Sequence, residues 1–176
     1  MSAEATRSQT REAEVLERRA ARLAEIPRDA HTRRIAAQIA VLEVGAERIG
    51  IPVSRLREFV PCPPLATLPG LPSWMAGVAQ IRGELLCAVD LAARLGIESE
   101  KEPACMAVLE AKNGAIGLLG QRVAGFRDVT EDDLAESYSG SGASDRTFIR
   151  GTTRDLVSIL DADRLLADEE LVVDIG

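Results

Sequence analysis

One histidine, three cysteines and a scatter of glycines are the side chains from which a catalytic, metal or phosphate site would have to be built. His31 stands ahead of the patterned part of the chain, so no Ser-His-Asp relay assembles around it, and a solvated imidazole is its default reading. Cys62, Cys87 and Cys105 are odd in number, far apart and without CxxC spacing, which speaks against a disulfide framework or a zinc site. Cys87 and Cys105 lie in apolar runs, where a thiol behaves as a small hydrophobe. A cysteine-dependent enzyme is kept as a rival that those apolar flanks disfavour. No segment matches G-x-x-x-x-G-K-[ST], and Gly114-Ala115-Ile116-Gly117 reads as hairpin rather than half a dinucleotide fingerprint. The acidic pairs Asp132-Asp133 and Glu169-Glu170 fall in turn-like or tail segments. An enzyme needs at least a nucleophile, a base or a metal set, so the expectation is a non-enzymatic chain with no cofactor and no metal. Arg82 remains, with a guanidinium that can hold a carboxylate or backbone carbonyls in a fixed fork. It is either a binding residue or the anchor of its own loop.

The bulk numbers agree with a partner-binding domain. The chain has 176 residues, 46% of them hydrophobic, enough to bury a core. No apolar run approaches the roughly 20 residues of a membrane helix. The polar start, Met1 to Gln9, does not read as a secretory leader, and a reducing cytoplasm suits the unpaired cysteines. Net charge is −7, unevenly spread: residues 1–34 sum to +2 and the remainder to −9. An acidic main domain is repelled by phosphate backbones and anionic lipid, so nucleic acid and direct membrane insertion are not expected.

The elements that must position any site follow from periodicity. Residues 8–26 read as a helix with Leu16, Leu23 and Ile26 on one stripe and Glu14/Arg18 as an i,i+4 pair; 27–34 read as a linker. From residue 35 the period becomes two. Ile39 and Val41, then Ile49, Ile51 and Val53, flank a turn at Gly45-Ala46-Glu47, and Pro52 ends that strand. Val53, Leu56 and Val60 suggest one or two helical turns. Five prolines between 61 and 73 demand an extended surface loop. Trp74 to Ile81 is apolar, with Trp74 a core or interface anchor. Leu85, Cys87, Val89 and Leu91 alternate as a strand with one buried face. Asp90 is placed to cap a short helix that Gly96 stops. Cys105 to Leu109 and Ile116 to Leu118 flank Asn113-Gly114, a strong hairpin signal. Val123 to Val129 is another strand, Asp132 to Leu134 a turn, and 137–144 a Ser/Gly loop. Strands at Phe148 to Gly151 and Leu156 to Leu160 precede a helix capped by Asp161. Many short strands with frequent turns predict an all-β barrel or sandwich.

The run Leu68-Pro69-Gly70-Leu71-Pro72-Ser73-Trp74-Met75-Ala76-Gly77-Val78-Ala79-Gln80-Ile81-Arg82-Gly83 resembles the central signature of CheW-like domains. That signature is a proline-rich loop, an aromatic, Gly-Val, then an apolar-Arg-Gly. Ile49-Gly50-Ile51-Pro52-Val53, Leu56-Arg57-Glu58-Phe59, Val89-Asp90-Leu91 and the closing Gly151 with Leu156 to Leu166 match the family's flanks in order. Gln80 departs from it, standing where the family usually has Asn. The resemblance covers 35–168, leaving 1–34 as an N-terminal helical extension and 169–176 as an acidic tail.

It implies a mainly β fold of two intertwined five-stranded SH3-like barrels with short helices. It also implies a cytoplasmic scaffold, recruited to membrane-associated receptor arrays, that couples the tip of a chemoreceptor to the regulatory domain of a CheA-type histidine kinase. By the same match Leu56, Val78 and Arg82 are receptor-binding candidates and Glu58 a kinase-binding candidate; Leu56 and Val78 could equally be core. An adaptor of a surface-motility or second-messenger pathway is the alternative within the family.

Overall fold

Alternating apolar residues make strands, and a strand buried on both sides must face two cores at once. The computed structural model describes residues 35–112, 114–134, 146–168 and 171. The helix expected over 8–26, the linker with His31, the loop over 137–144 and most of the acidic tail lie outside them. The strands are β1 (Ile35–Val44), β2 (Glu47–Pro52), β3 (Leu56–Pro61), β4 (Met75–Ile81), β5 (Glu84–Asp90), β6 (Cys105–Ala111), β7 (Gly114–Gly120), β8 (Arg122–Thr130), β9 (Ile149–Thr152) and β10 (Val157–Leu160). Short helices α1 (Leu91–Leu95) and α2 (Ala162–Leu166) follow β5 and β10.

The strands form two five-stranded sheets, ordered β8-β1-β2-β10-β9 and β3-β6-β7-β5-β4. The second sheet is therefore inserted, as one stretch of chain, between β2 and β8 of the first. This is the intertwining expected above. The two sheets also share one topology. Counting β8, β9, β10, β1, β2 as first to fifth, the spatial order is first-fourth-fifth-third-second, and counting β3 to β7 in turn gives the same. Each sheet has one parallel pair, β2 with β10 and β5 with β7.

The burial pattern explains the near-continuous apolar runs. On β1, Ile39 and Val41 pack inside the first sheet with Val129, Val157 and Ile159, while Leu42 and Val44 join a core shared by both sheets. On β6, Met106 and Val108 pack inside the second sheet with Leu86, Ala88 and Leu119, while Ala107 and Leu109 face the shared core. Each aliphatic side chain buried this way contributes roughly 1.5–3 kcal/mol. Close fit has a backbone requirement too. A Cβ at Gly117 would lie 2.2 Å from the Met106 Sδ, so glycine makes room for the methionine.

Both helix caps are as expected. The Asp90 carboxylate accepts from the Ala93 amide at 3.1 Å, Gly96 turns left-handed at φ 64°, and Asp161 accepts from the Arg164 amide at 3.0 Å. Two expectations are corrected. Leu56–Pro61 is a strand paired with β6, and the helical tendency is confined to a 3-10 turn over Val53–Arg55. β5 does not bury Leu85, which is 68% exposed; Leu86 and Ala88 fill its own sheet, and Val89 enters the shared core. Of the alternating set only Leu85 departs, since Val89 and Leu91 are fully buried, and the intervening Leu86 and Ala88 are buried too because both faces of β5 are apolar. The hairpin expected at Asn113-Gly114 joins β6 to β7, with Ala111 opposite Gly114; Asn113 lies outside the described residues.

A buried cation ties the two halves. The Arg94 guanidinium on α1 lies 4.8 Å from the Trp74 ring and 4.5 Å from the Phe148 ring, and pairs with Asp168 beyond α2. Its side chain is only 9% exposed, so the stack and the ion pair act in a poorly hydrated setting. Arg94→Ala is expected to cost about 3 kcal/mol in urea unfolding, because it removes the ring stack and breaks a poorly hydrated ion pair. Arg94→Lys, which keeps the charge but not the planar stack, should fall between.

Candidate interaction surfaces

The β4–β5 connection is a two-residue turn, Arg82-Gly83, with Ile81 opposite Glu84. Both residues have positive φ, 50° and 87°, the geometry that suits the right-handed twist of a hairpin. Glycine adopts it freely; at arginine it costs free energy. What holds Arg82 there is a fork: its Nε and Nη2 each donate to a Glu58 carboxylate oxygen at 2.9 Å. Beside it Arg57 donates to Glu84 at 2.6 Å. Two ion pairs thus clamp the hairpin tip to the edge strand β3. The fork draws the Glu58 carboxyl below the ordinary carboxylate range. Glu58 is 21% exposed and Arg82 78%, so this end presents a cation outward.

The equivalent end of the first sheet carries the same device with the charges exchanged. Arg127 on β8, the counterpart of β3, forks onto Asp155 in the β9–β10 turn at 2.7 and 2.9 Å. Thr153 Oγ1 donates to the same carboxylate at 2.8 Å, and Arg48 donates to the Asp155 carbonyl. The Arg127 fork, with the Thr153 hydroxyl second, lowers the Asp155 carboxyl from 3.8 to about 2. The next residue, Leu156, is 75% exposed with φ 61°. Arg82 and Leu156 are the non-glycine residues with positive φ among the described ones. The β4–β5 tip therefore shows a guanidinium, and the β9–β10 tip a carboxylate held by Arg127 and Arg48 beside an exposed leucine.

Between the ends, Phe59 on β3 and Phe126 on β8 meet edge to face, centroids 6.2 Å apart. Their strand partners, Ala107 and Ala40, are both fully buried, so the two rings occupy matching positions of the two sheets. Phe126 is 62% exposed, an aromatic surface at the seam.

The structure brings Glu58 and Arg82 together in one pair, although the motif match assigned them to different partners. Leu56 is half-buried and packs on the shared core. Val78 is half-buried on edge strand β4, where its backbone exchanges hydrogen bonds of 2.8 and 2.9 Å with Ala66 of the proline-rich loop. Gly77 permits that contact: its φ is 142°, and a Cβ would lie 2.5 Å from the Ala66 oxygen. Gln80 is exposed opposite Leu85. Trp74 is a core residue. Phe126, Leu85, Leu156 and the Arg127–Asp155 fork were not singled out from sequence, since nothing in a period-two pattern tells an exposed aromatic at a seam from a buried one. Burial pushes the thiols of Cys62, Cys87 and Cys105 upward in pKa, with Cys62 adding to the shift at Cys105; such thiols are poor nucleophiles. Among the described residues no cluster of His, Cys, Asp or Glu is arranged to hold a metal ion, and no helix is long and apolar enough to cross a membrane.

Residues 38–170 match the family model described as CheW-like domain. The chain belongs to the CheW-like domain family. It is 25% identical over 138 residues to a "Probable chemotaxis protein CheW" of Rhizobium etli, covering 76% of this chain and 89% of that one. It is 30% identical over 102 residues to Protein PilI of Pseudomonas aeruginosa, covering 57% of each. Scaffolding protein TtCheW from Thermoanaerobacter tengcongensis superposes with a TM-score of 0.62 at 20% identity, over 70% of this chain and 86% of that one. The fold is thus the SH3-like, two-sheet CheW fold, and the protein is a CheW-like scaffold of chemotaxis signalling rather than an enzyme.

Two outcomes follow. Asp155 is bound in its charged form, so its contribution to CheW-like domain stability is fully present above about pH 5 and is lost as pH falls through about 2. The stability gap between the natural protein and Asp155→Asn, measured by urea unfolding, should therefore narrow from about pH 5 down to about pH 2. Arg82→Asn, a residue that tolerates the left-handed turn, should hold the melting temperature within about 3 °C. The Glu58 carboxyl should then return toward its ordinary pKa in a carbon-detected titration.

Proposed function

We propose that this protein couples the cytoplasmic tip of a chemoreceptor to the regulatory domain of a CheA-type histidine kinase, adding no chemistry of its own. The observation that carries this reading is a two-sheet body with one shared core that exposes two unlike surfaces, the Glu58–Arg82 ion pair at the β4–β5 tip and the Phe126 ring at the seam. A body of that kind suits holding two partners at a set distance and angle. The kinase domain is assigned to Glu58, a rim charge of the kind that sets association rate and register.

The receptor tip, a helical hairpin, is assigned to the seam and its neighbours, with Leu56, Val78 and Arg82 as contacts and the exposed Phe126 added to them. An amphipathic helix laid there would cover the aromatic pair with its apolar stripe. Residues 35–168 would do this work in the cytoplasm at receptor arrays, with 1–34 and the tail as appendages. A signal then passes as a change in the relative orientation of the partners. Nucleic acid has no place in this scheme, given the acidic domain.

A calorimetric titration with the isolated regulatory domain of the cognate kinase tests the reading. The expected result is saturable binding with a Kd of about micromolar or tighter. It should weaken at least about tenfold in Glu58→Arg and little in Phe126→Ser. Phe126→Ser should instead weaken capture by receptor-tip assemblies. Absence of binding to every CheA-type kinase of the same genome would remove the coupling role while leaving the fold as it stands.

A further inference from the structure

Arg94 sits where the two halves of the repeat meet, and the repeat shows what sets it apart. Trp74 stands one residue ahead of β4, and Phe148 one residue ahead of β9, the matching strand of the other sheet. Each gives its carbonyl to the amide of a helix-capping aspartate, Trp74 to Asp90 at 2.8 Å and Phe148 to Asp161 at 2.7 Å. The two rings are therefore counterparts, one from each half, and both are buried. The helices α1 and α2 behind those caps match in the same way, and their fourth positions are Arg94 and Leu165. Leu165 is fully buried in the shared core. One half thus fills this position with an aliphatic side chain. The other fills it with a guanidinium between the two counterpart rings, 4.8 Å from one centroid and 4.5 Å from the other.

A leucine satisfies burial in one half, so burial alone does not explain an arginine in the other. Nor does net stability, since well-packed apolar residues often replace a poorly hydrated ion pair without loss. What the arginine has and the leucine lacks is direction. Aliphatic contacts in the shared core depend on area and hardly on angle. Threading of the second sheet through the first forbids large rotations but not small ones. A planar guanidinium between two ring faces, with Asp168 accepting from its Nη2, is matched over a narrow range of orientations. Phe148 and Asp168 flank β9 and α2, whereas Trp74 and Arg94 flank β4 and lie on α1, so the match spans the joint.

We infer that Arg94 is a positioning residue: it selects one angle between the two sheets, and so the angle between the hairpin tips at Arg82 and at Leu156. This holds for the free protein, whichever partners load its two surfaces.

The test replaces both members of the pair together, Arg94→Met with Asp168→Asn, so that no lone charge is left behind. It follows backbone residual dipolar couplings of the free protein. In the natural protein one alignment tensor should fit both sheets. In the double variant the melting temperature should stay within about 4 °C. Each sheet should still fit a tensor of its own, while a shared tensor fails. Trp74 is the chain's single tryptophan, and its one indole signal should split or broaden as the joint samples several angles. Arg94→Lys, charged but not planar, should fail the shared fit as well. A double variant with the natural sheet orientation and one sharp indole signal would overturn the inference. A double variant that no longer folds would overturn it too, by making the pair an element of stability alone.

Discussion

The core shared between the two sheets is what the rest of the molecule depends on. Neither sheet can bury its strands alone: β1 and β6 are apolar on both faces, and each spends one face on its own interior and the other on its neighbour. A small five-stranded unit has too little interior to offset the entropy of ordering its chain. Joining two through a common core supplies the missing burial. It also fixes the angle between them, which is the property a scaffold needs. Threading the second sheet through the first makes that angle hard to change without unfolding, and the Arg94 stack between Trp74 and Phe148 locks the same joint with a charge.

The repeated topology gives the fork pairs their meaning. In each half the first strand reaches the second hairpin's tip through a two-pronged arginine–carboxylate contact, and in each half a non-glycine residue is held at positive φ there. The strain is local and the compensation is local, so the tips are preorganised without drawing on the core. Exchange of the charges between the halves makes the two ends chemically unlike although their backbones match.

Much of this architecture was legible beforehand. Asp90, Gly96 and Asp161 announce their helix ends because capping is a contact within a few residues. The turn at Gly45-Ala46 and the proline-rich loop are equally local. Legibility failed where two periodicities overlap. β5 reads as Leu85, Cys87, Val89 from one side and Leu86, Ala88 from the other, and only packing says that Leu86, Ala88 and Val89 are inside while Leu85 is not. The site residues show the same limit. Arg82 and Glu58 were visible as motif members, but their pairing joins residues 24 apart on different strands. Phe126 carries no mark in its neighbourhood that it faces solvent.

By itself the sequence determined the strand-rich class, the short capped helices, the lack of a catalytic or metal set among its motifs, and membership of a scaffold family, because propensity, capping and turn chemistry act over a few residues. Only the tertiary structure decided which apolar face meets which core, that the two halves repeat one topology, and that Glu58 and Arg82 are one device rather than two. Those are relations between residues far apart in the chain, set by burial and close packing, and no local pattern encodes them.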